Sequence, residues 1–237
     1  MTPLNIISKK INKIIGDLLK WILIKNDIFT TDQFSNISYS QLGEDLVLKK
    51  IFATKQHGFF VDVGAFHPKY YSNTYLLYRK GWRGINIDAM PGSMKIFNKI
   101  RTFDKNLEIP IGSKNELLTY YIFEEPAFNG FFSFKPKNIP SRLIKTKKIA
   151  TYPLKNILDK FVPQNKSIDL LSIDVEGMDY EVLLSNNWKK YLPSVIVVED
   201  IKFSPDEPQK SKIFNLLRKH HYHLHASLPP SLIFIFK

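Results

Sequence analysis

The 237-residue sequence contains no cysteine. Disulfides, cysteine-based zinc sites and thiol nucleophiles are therefore excluded, and the fold must hold without covalent staples. That suits a reducing cytosol, so a cytoplasmic location is expected. Long uncharged apolar runs are also missing. The stretch from Leu4 to Ile24 is rich in Ile and Leu but is interrupted by Lys9, Lys10, Lys13, Asp17 and Lys20. It falls short of the ~18 uninterrupted residues of a spanning helix. No small-residue cleavage site follows it, which argues against a secretory signal. There is no internal repeat and no low-complexity tract. Acidic residues are in the minority: 34 Lys and Arg face 22 Asp and Glu, for a net charge of +12. Such a balance favours an anionic partner: nucleic acid, an anionic membrane surface, or an acidic glycan or nucleotide.

What is present divides into two parts. Ile7, Ile11, Ile14, Ile15, Leu18, Leu19 and Ile22 recur at the spacing of one helical face. With lysines between them, residues 4–24 fit a helix resting on a membrane surface, which would add a peripheral membrane contact. The ordinary alternative is a helix packed on the domain or on a second subunit. A polar connection, Asn26 to Ser38, follows. Residues 1–38 are thus read as an amphipathic helix and linker, and residues 39–237 as the main domain, long enough for one full core.

Within that domain, strands and helices alternate. Strands are predicted at Phe59 to Val63, Ile85 to Asp88, Leu107 to Ile111, Ile168 to Asp174 and Val195 to Glu199. Helices are predicted at Leu46 to Phe52, Asn73 to Arg79, Ser93 to Ile100, Tyr180 to Leu184 and Lys210 to Lys219. This alternation implies an α/β domain with a largely parallel sheet and helices on both faces. Pro110 places the third strand at a sheet edge. Two last strands, Tyr222 to Ala226 and Leu232 to Phe236, are joined too closely for a crossover helix and should pair antiparallel. Thr119 to Thr151 departs from the pattern and reads as an insertion that caps the site or binds an anion. Nine basic residues against one acidic residue between Lys135 and Lys166 also fit a merely solvated loop.

Ligands of such sheets bind beyond the carboxyl ends of the strands. Four of those ends read Asp62-Val63-Gly64, Asp88-Ala89-Met90, Asp174-Val175-Glu176-Gly177 and Glu199-Asp200. Gly64, followed by Ala65, would let backbone approach a ligand closely. A dinucleotide fingerprint would need further glycines, but Phe66 and His67 stand there. Asp62 suits a cationic ligand. Asp88 can accept hydrogen bonds from both hydroxyls of a ribose. Gly112 and Ser113, after the third strand, fall where an adenine would lie. Asp174 and Glu176 are candidates for acceptor contact, acid–base work or metal ligation, or for capping the next helix. His67 is a further base candidate, or only shapes its loop. His221, His223 and His225 share one strand face, but a flat row wraps an ion poorly, so no metal site is assigned.

Several motifs occur together and in order: Ser40-Gln41-Leu42-Gly43-Glu44-Asp45, Phe60 to Pro68, Ser72-Asn73-Thr74, Gly84 to Gly92, Ile173 to Gly177 and Val197-Val198-Glu199. In these the chain resembles FkbM-type methyltransferases, from about Tyr39 to the C-terminus. The resemblance implies the class I methyltransferase (Rossmann-like) fold, with seven strands in the order 3-2-1-4-5-7-6 and an antiparallel C-terminal pair. It implies S-adenosylmethionine as donor and O-methylation as the usual reaction, often on sugars of surface polysaccharides. By matching position, Asp62, Gly64 and Asp88 would hold the cofactor, and Asp174 and Glu176 would lie beside the methyl and the acceptor. Ala65, Ala89, Gly112, Ser113 and Asp174 join the cofactor candidates from their places at the strand ends, and Glu176, Asp174 and His67 are the candidates for a base. Met90 stands where Asn is frequent in the family. A glycan or small polar acceptor is the expected partner. The competing readings are a sugar-nucleotide glycosyltransferase with a divalent ion at Asp174 and Glu176, and a non-enzymatic basic domain on membrane or nucleic acid. Nucleic acid fits poorly, since carboxylates at every strand end would repel phosphates.

Overall fold

The computed structural model describes residues 35–132 and 139–237. The helix expected over residues 4–24 lies outside them. Residues 38–237 form one unit, and none of the described helices is long and apolar enough to cross a membrane.

The unit is built on a seven-stranded mixed sheet. The chain opens with helix α1 (Glu44–Ile51), then strand β1 (Phe59–Val63), helix α2 (Tyr75–Arg79), strand β2 (Arg83–Asp88), helix α3 (Met94–Ile100) and strand β3 (Lys105–Glu108). A separate group of strands follows: β4 (Ile111–Gly112), β5 (Glu116–Phe123), β6 (Gly130–Phe131) and β7 (Leu143–Pro153). The chain then returns through α4 (Leu154–Phe161), β8 (Leu170–Ile173), α5 (Asp179–Leu184), β9 (Val195–Glu199), α6 (Lys212–Lys219), β10 (Tyr222–Leu228) and β11 (Ser231–Phe236). The large sheet runs β3-β2-β1-β8-β9-β11-β10. Numbered by appearance within that sheet, this is the expected 3-2-1-4-5-7-6. β11 runs antiparallel to both β9 and β10, and the other pairs are parallel.

Side-chain alternation along these strands builds two cores, because successive residues face opposite sides of a sheet. On one side Val61, Val63, Ile85, Ile87, Leu171, Ile173, Ile196 and Val198 pack under Leu154 and Leu158 of α4, Val182 of α5 and Leu217 of α6. On the other, Phe60, Leu170, Val195 and Val197 meet Leu48 of α1, Leu77 of α2 and Trp82. Each such side chain stabilises the fold by about 1.5–3 kcal/mol when taken from water. Both faces being covered explains why β1 and β8 are apolar at nearly every position.

The third expected strand is corrected. Pro110 donates no backbone hydrogen bond, and the run breaks there: β3 ends at Glu108, and Ile111–Gly112 pairs instead with β7 in the second sheet. The insertion is likewise not an irregular loop. β5 and β7 form an antiparallel hairpin from Glu116↔Thr151 to Phe123↔Leu143, with β6 on the far side of β5. Its basic residues Lys145, Lys147 and Lys148 are exposed on β7.

Candidate active site

A cavity of about 880 Å³ opens at the carboxyl ends of β1, β2, β8 and β9. Strand register arranges it. Val63 pairs with Ile87 of β2 and Ile173 of β8, and Ile173 pairs with Val198 of β9. One step further along, Asp88, Gly64, Asp174 and Glu199 therefore form a row across four strand ends, and all four border the cavity. Gly64 has φ +81°, and a Cβ there would run into the Asp174 carbonyl oxygen. The glycine is thus required by the neighbouring strand end rather than by a ligand alone.

Asp62 lies two residues deeper, opposite Asn86 and Ser172. It does not border the cavity. Its carboxylate accepts a 2.6 Å hydrogen bond from Thr74 Oγ1 at the start of α2. Arg101 lies behind Thr74, with Nη2 3.2 Å from its hydroxyl and 2.8 Å from Ser72 Oγ, and Nε donating to the Pro68 carbonyl at 2.8 Å. Burial pushes the Asp62 carboxyl up, opposed by the Thr74 hydroxyl and the Arg101 charge. Ala65 is also buried, against Met94 and Phe97 of α3. Gly112 packs on Thr151, and Ser113 is exposed beside Glu116. Neither borders the cavity; Ile109 and Ile111 do so in their place. His67 is off the cavity as well. Its Nδ1 accepts the backbone N–H groups of Lys69 and Tyr70, at 3.2 and 2.9 Å, so the ring shapes the loop.

Asp88, Ala89, Asp174 and Glu176 are brought together as expected. Asp88 Oδ2 accepts the Phe66 N–H at 3.0 Å and Oδ1 the Met90 N–H at 2.7 Å. Each oxygen keeps further accepting capacity. Burial raises its pKa to about 6, against the pull of those two N–H groups. Asp174 is raised well above its ordinary value by burial, then by the charges of Glu199, Asp179, Glu176 and Asp62. Glu176 is raised to about 8 by burial and by Glu199 and Asp179. The turn that carries Glu176 is pinned by Asp179, whose carboxylate accepts the N–H groups of Val175 and Gly177 at 3.1 and 3.2 Å. Gly130 of β6 lies against Glu176, and a Cβ there would come within 2.8 Å of the Glu176 Cβ.

The hairpin sheet and its connecting turn supply a further wall, through Tyr120 and Glu125 to Phe131. Asn129 ties it in place: its Oδ1 accepts the Phe123 N–H at 2.7 Å, and its Nδ2 donates to Met90 Sδ at 3.3 Å. Burial, followed by the charges of Asp88 and Glu176, pushes the Tyr120 phenol up. Sequence reasoning missed Tyr120, Asn129, Tyr70 and Tyr71. Three cavity residues other than glycine, Phe66, Tyr71 and Glu176, hold left-handed φ of 50°, 54° and 54°. Strain of this kind concentrates at functional sites.

Among the described lining residues, five are acidic (Asp88, Glu125, Asp174, Glu176 and Glu199) and none is Lys, Arg or His. In a chain of net charge +12, that concentrates negative potential where a ligand would sit. Such a lining favours a cation and disfavours a diphosphate. No three His, Cys, Asp or Glu side chains among the described residues converge as metal ligands.

A family model, the methyltransferase FkbM domain, matches residues 62–224. The chain belongs to the FkbM methyltransferase family. Its members use S-adenosylmethionine as methyl donor, and the acid-lined row fits that sulfonium- and ammonium-bearing molecule. No curated protein and no solved structure matches the chain. In this FkbM domain, the match begins at the buried Asp62 and runs through Asp88, Asp174 and Glu176 to β10.

Proposed function

We propose that this chain is an O-methyltransferase acting on a sugar hydroxyl of a glycan or a related small polar acceptor. Glu176 carries the reading: a carboxyl group of pKa about 8, set in a strained turn on the cavity wall. A base of that strength suits proton removal near neutral pH. The acid-only lining supports an uncharged acceptor rich in hydroxyl donors.

When bound, S-adenosylmethionine supplies a methyl carbon already activated by its sulfonium. Asp88 is assigned to the ribose hydroxyls, through the lone pairs left free by the Phe66 and Met90 N–H groups. Asp174 and Glu199, whose ionisation burial opposes and a bound cation would favour, would hold the donor's positive charge. The Glu176 carboxylate would take the proton of the acceptor hydroxyl as the oxygen–methyl bond forms and the sulfur–methyl bond breaks, the sulfur leaving as the neutral thioether of S-adenosylhomocysteine. Alignment by the cavity walls supplies much of the remaining acceleration. The sugar-nucleotide alternative is disfavoured because the family is one of methyltransferases, and the described lining has no Lys or Arg to support a diphosphate beside a divalent ion.

Calorimetry with S-adenosylhomocysteine tests the reading. The wild-type chain should bind it. Asp88→Ala should weaken binding by about ten- to a hundredfold, the scale of hydrogen bonds to a charged group. No heat from the wild type at high micromolar ligand would sink the assignment. Label from the methyl donor should be recovered from the acceptor as an alkali-stable ether. Recovery as a labile ester or on nitrogen would refute O-methylation of a sugar.

A further inference from the structure

Tyr70 and Tyr71 stand out from the rest of the site. Their rings stack at 3.8 Å with an interplanar angle of 27°, yet they remain 55% and 41% exposed. Their positions are fixed. His67 accepts the Tyr70 N–H, Tyr71 holds φ +54°, and the next N–H, of Ser72, donates to the Tyr39 carbonyl at 2.9 Å. The fold thus holds two half-exposed rings on a backbone with a left-handed residue, with the Phe66 ring 6.4 Å from each. The pair also borders two spaces. One is the 880 Å³ cavity; the other is a side cleft of about 300 Å³, shared with Ser38, Tyr39, Ser40 and Lys69.

We propose that the Tyr70–Tyr71 stack is the platform for a sugar ring of the acceptor, and that the acceptor is an oligosaccharide whose next residue occupies the side cleft. The inference rests on the methyl-transfer reading and deepens it. A pyranose has one face of C–H bonds, which packs on an aromatic face, and an edge of hydroxyls, which donate to acceptors. The site offers this pairing: exposed rings on its border, and carboxyl groups of Asp88, Asp174, Glu176 and Glu199 in its lining, with Glu125 exposed among them. The phenol hydroxyls add polar handles to the same rings. A ring stacked at the mouth would direct one hydroxyl toward Glu176 and leave its neighbour over the cleft, with Lys69 alongside.

The test uses the full chain saturated with S-adenosylhomocysteine and a panel of neutral methyl glycosides with their matching disaccharides, followed by calorimetry and saturation-transfer NMR. Disaccharides should bind several-fold more tightly than methyl glycosides. Tyr70→Ala should weaken sugar binding about tenfold, the scale of one aromatic contact. Tyr70→Phe, which keeps the ring, should restore it. Both variants should bind S-adenosylhomocysteine as the wild type does. Unchanged sugar binding in Tyr70→Ala overturns the platform, as does equal binding of one and two sugar units. A loss confined to S-adenosylhomocysteine reassigns the pair to the cofactor and also overturns it. If the wild type binds the nucleoside but no sugar of the panel, the platform fails while methyl transfer stands. If it binds neither, both readings fall.

Discussion

Glu176 keeps its proton up to about pH 8, because burial and the charges of Glu199 and Asp179 oppose its ionisation. As a base it must be ionised, so activity should rise with pH. kcat/KM, which reports the free enzyme, should climb through about pH 8. A bound cation favours the carboxylate, so the limb of kcat should lie at lower pH. Coincident limbs, or a fall across this range, would rule out Glu176 as the base. Glu176→Gln keeps the shape and removes the proton acceptor. It should lower kcat by about 10²–10³ with little change in nucleoside affinity, as read by turnover and calorimetry. Glu176 was legible in the sequence as a carboxylate at a strand end. His67 was not, because the fate of its Nδ1 depends on a turn whose two N–H groups only the folded loop presents.

Among the elements, β1 shows where sequence reading gave out. A strand end of Asp-x-Gly invites the view that Asp62 and Gly64 serve one ligand together. Register separates them: Gly64 joins the row of Asp88 and Asp174, and Asp62 stays two residues inside the sheet, facing α2. Neither motif nor spacing carries that depth, since it is set by pairing with β2 and β8. The Asp62–Thr74–Arg101 group then becomes a joint that ties β1, the start of α2 and the end of α3 together. Arg101 is fully buried and also faces Asp104 at 3.5 Å. Arg101→Met should leave those carboxylates unpaired and cost about 3–5 kcal/mol, read as a lowered denaturant midpoint. A loss below about 1 kcal/mol would place Arg101 among ordinary surface cations. The hairpin sheet was illegible for another reason. β5 is half-covered on both faces, so its apolar residues do not alternate cleanly, and β7 is mostly exposed and lysine-rich.

Across the whole molecule, two electrostatic effects compete. The net charge of +12 disfavours compactness, and that repulsion eases as pH rises. The buried carboxylates act in the opposite sense. Glu176, Asp179, Asp88 and Asp104 are raised to about 8, 7, 6 and 6, against about 4 in an unfolded chain. Between those limits the folded state binds more protons than the unfolded state, so stability falls as pH rises. The contribution is present below about pH 4 and is lost by about pH 8. Surface charges are screened within about 8–10 Å, whereas these carboxylates are shielded from salt, so the buried set should win. The thermal midpoint of the ligand-free chain should therefore fall from pH 5 to pH 8.5, less steeply in Glu176→Gln. A midpoint that rises with pH would show that surface repulsion dominates. The alternation of strands and helices made a largely parallel sheet legible, while its strand order came from the family resemblance.

The cavity wall from Tyr120 to Phe131 belongs to a sheet that shares no strand with the row of carboxylates beneath it. Replacing the segment between β4 and α4 would therefore leave the pairing of the four carboxyl-bearing strand ends intact, while taking Asn129 from Met90 and Gly130 from Glu176.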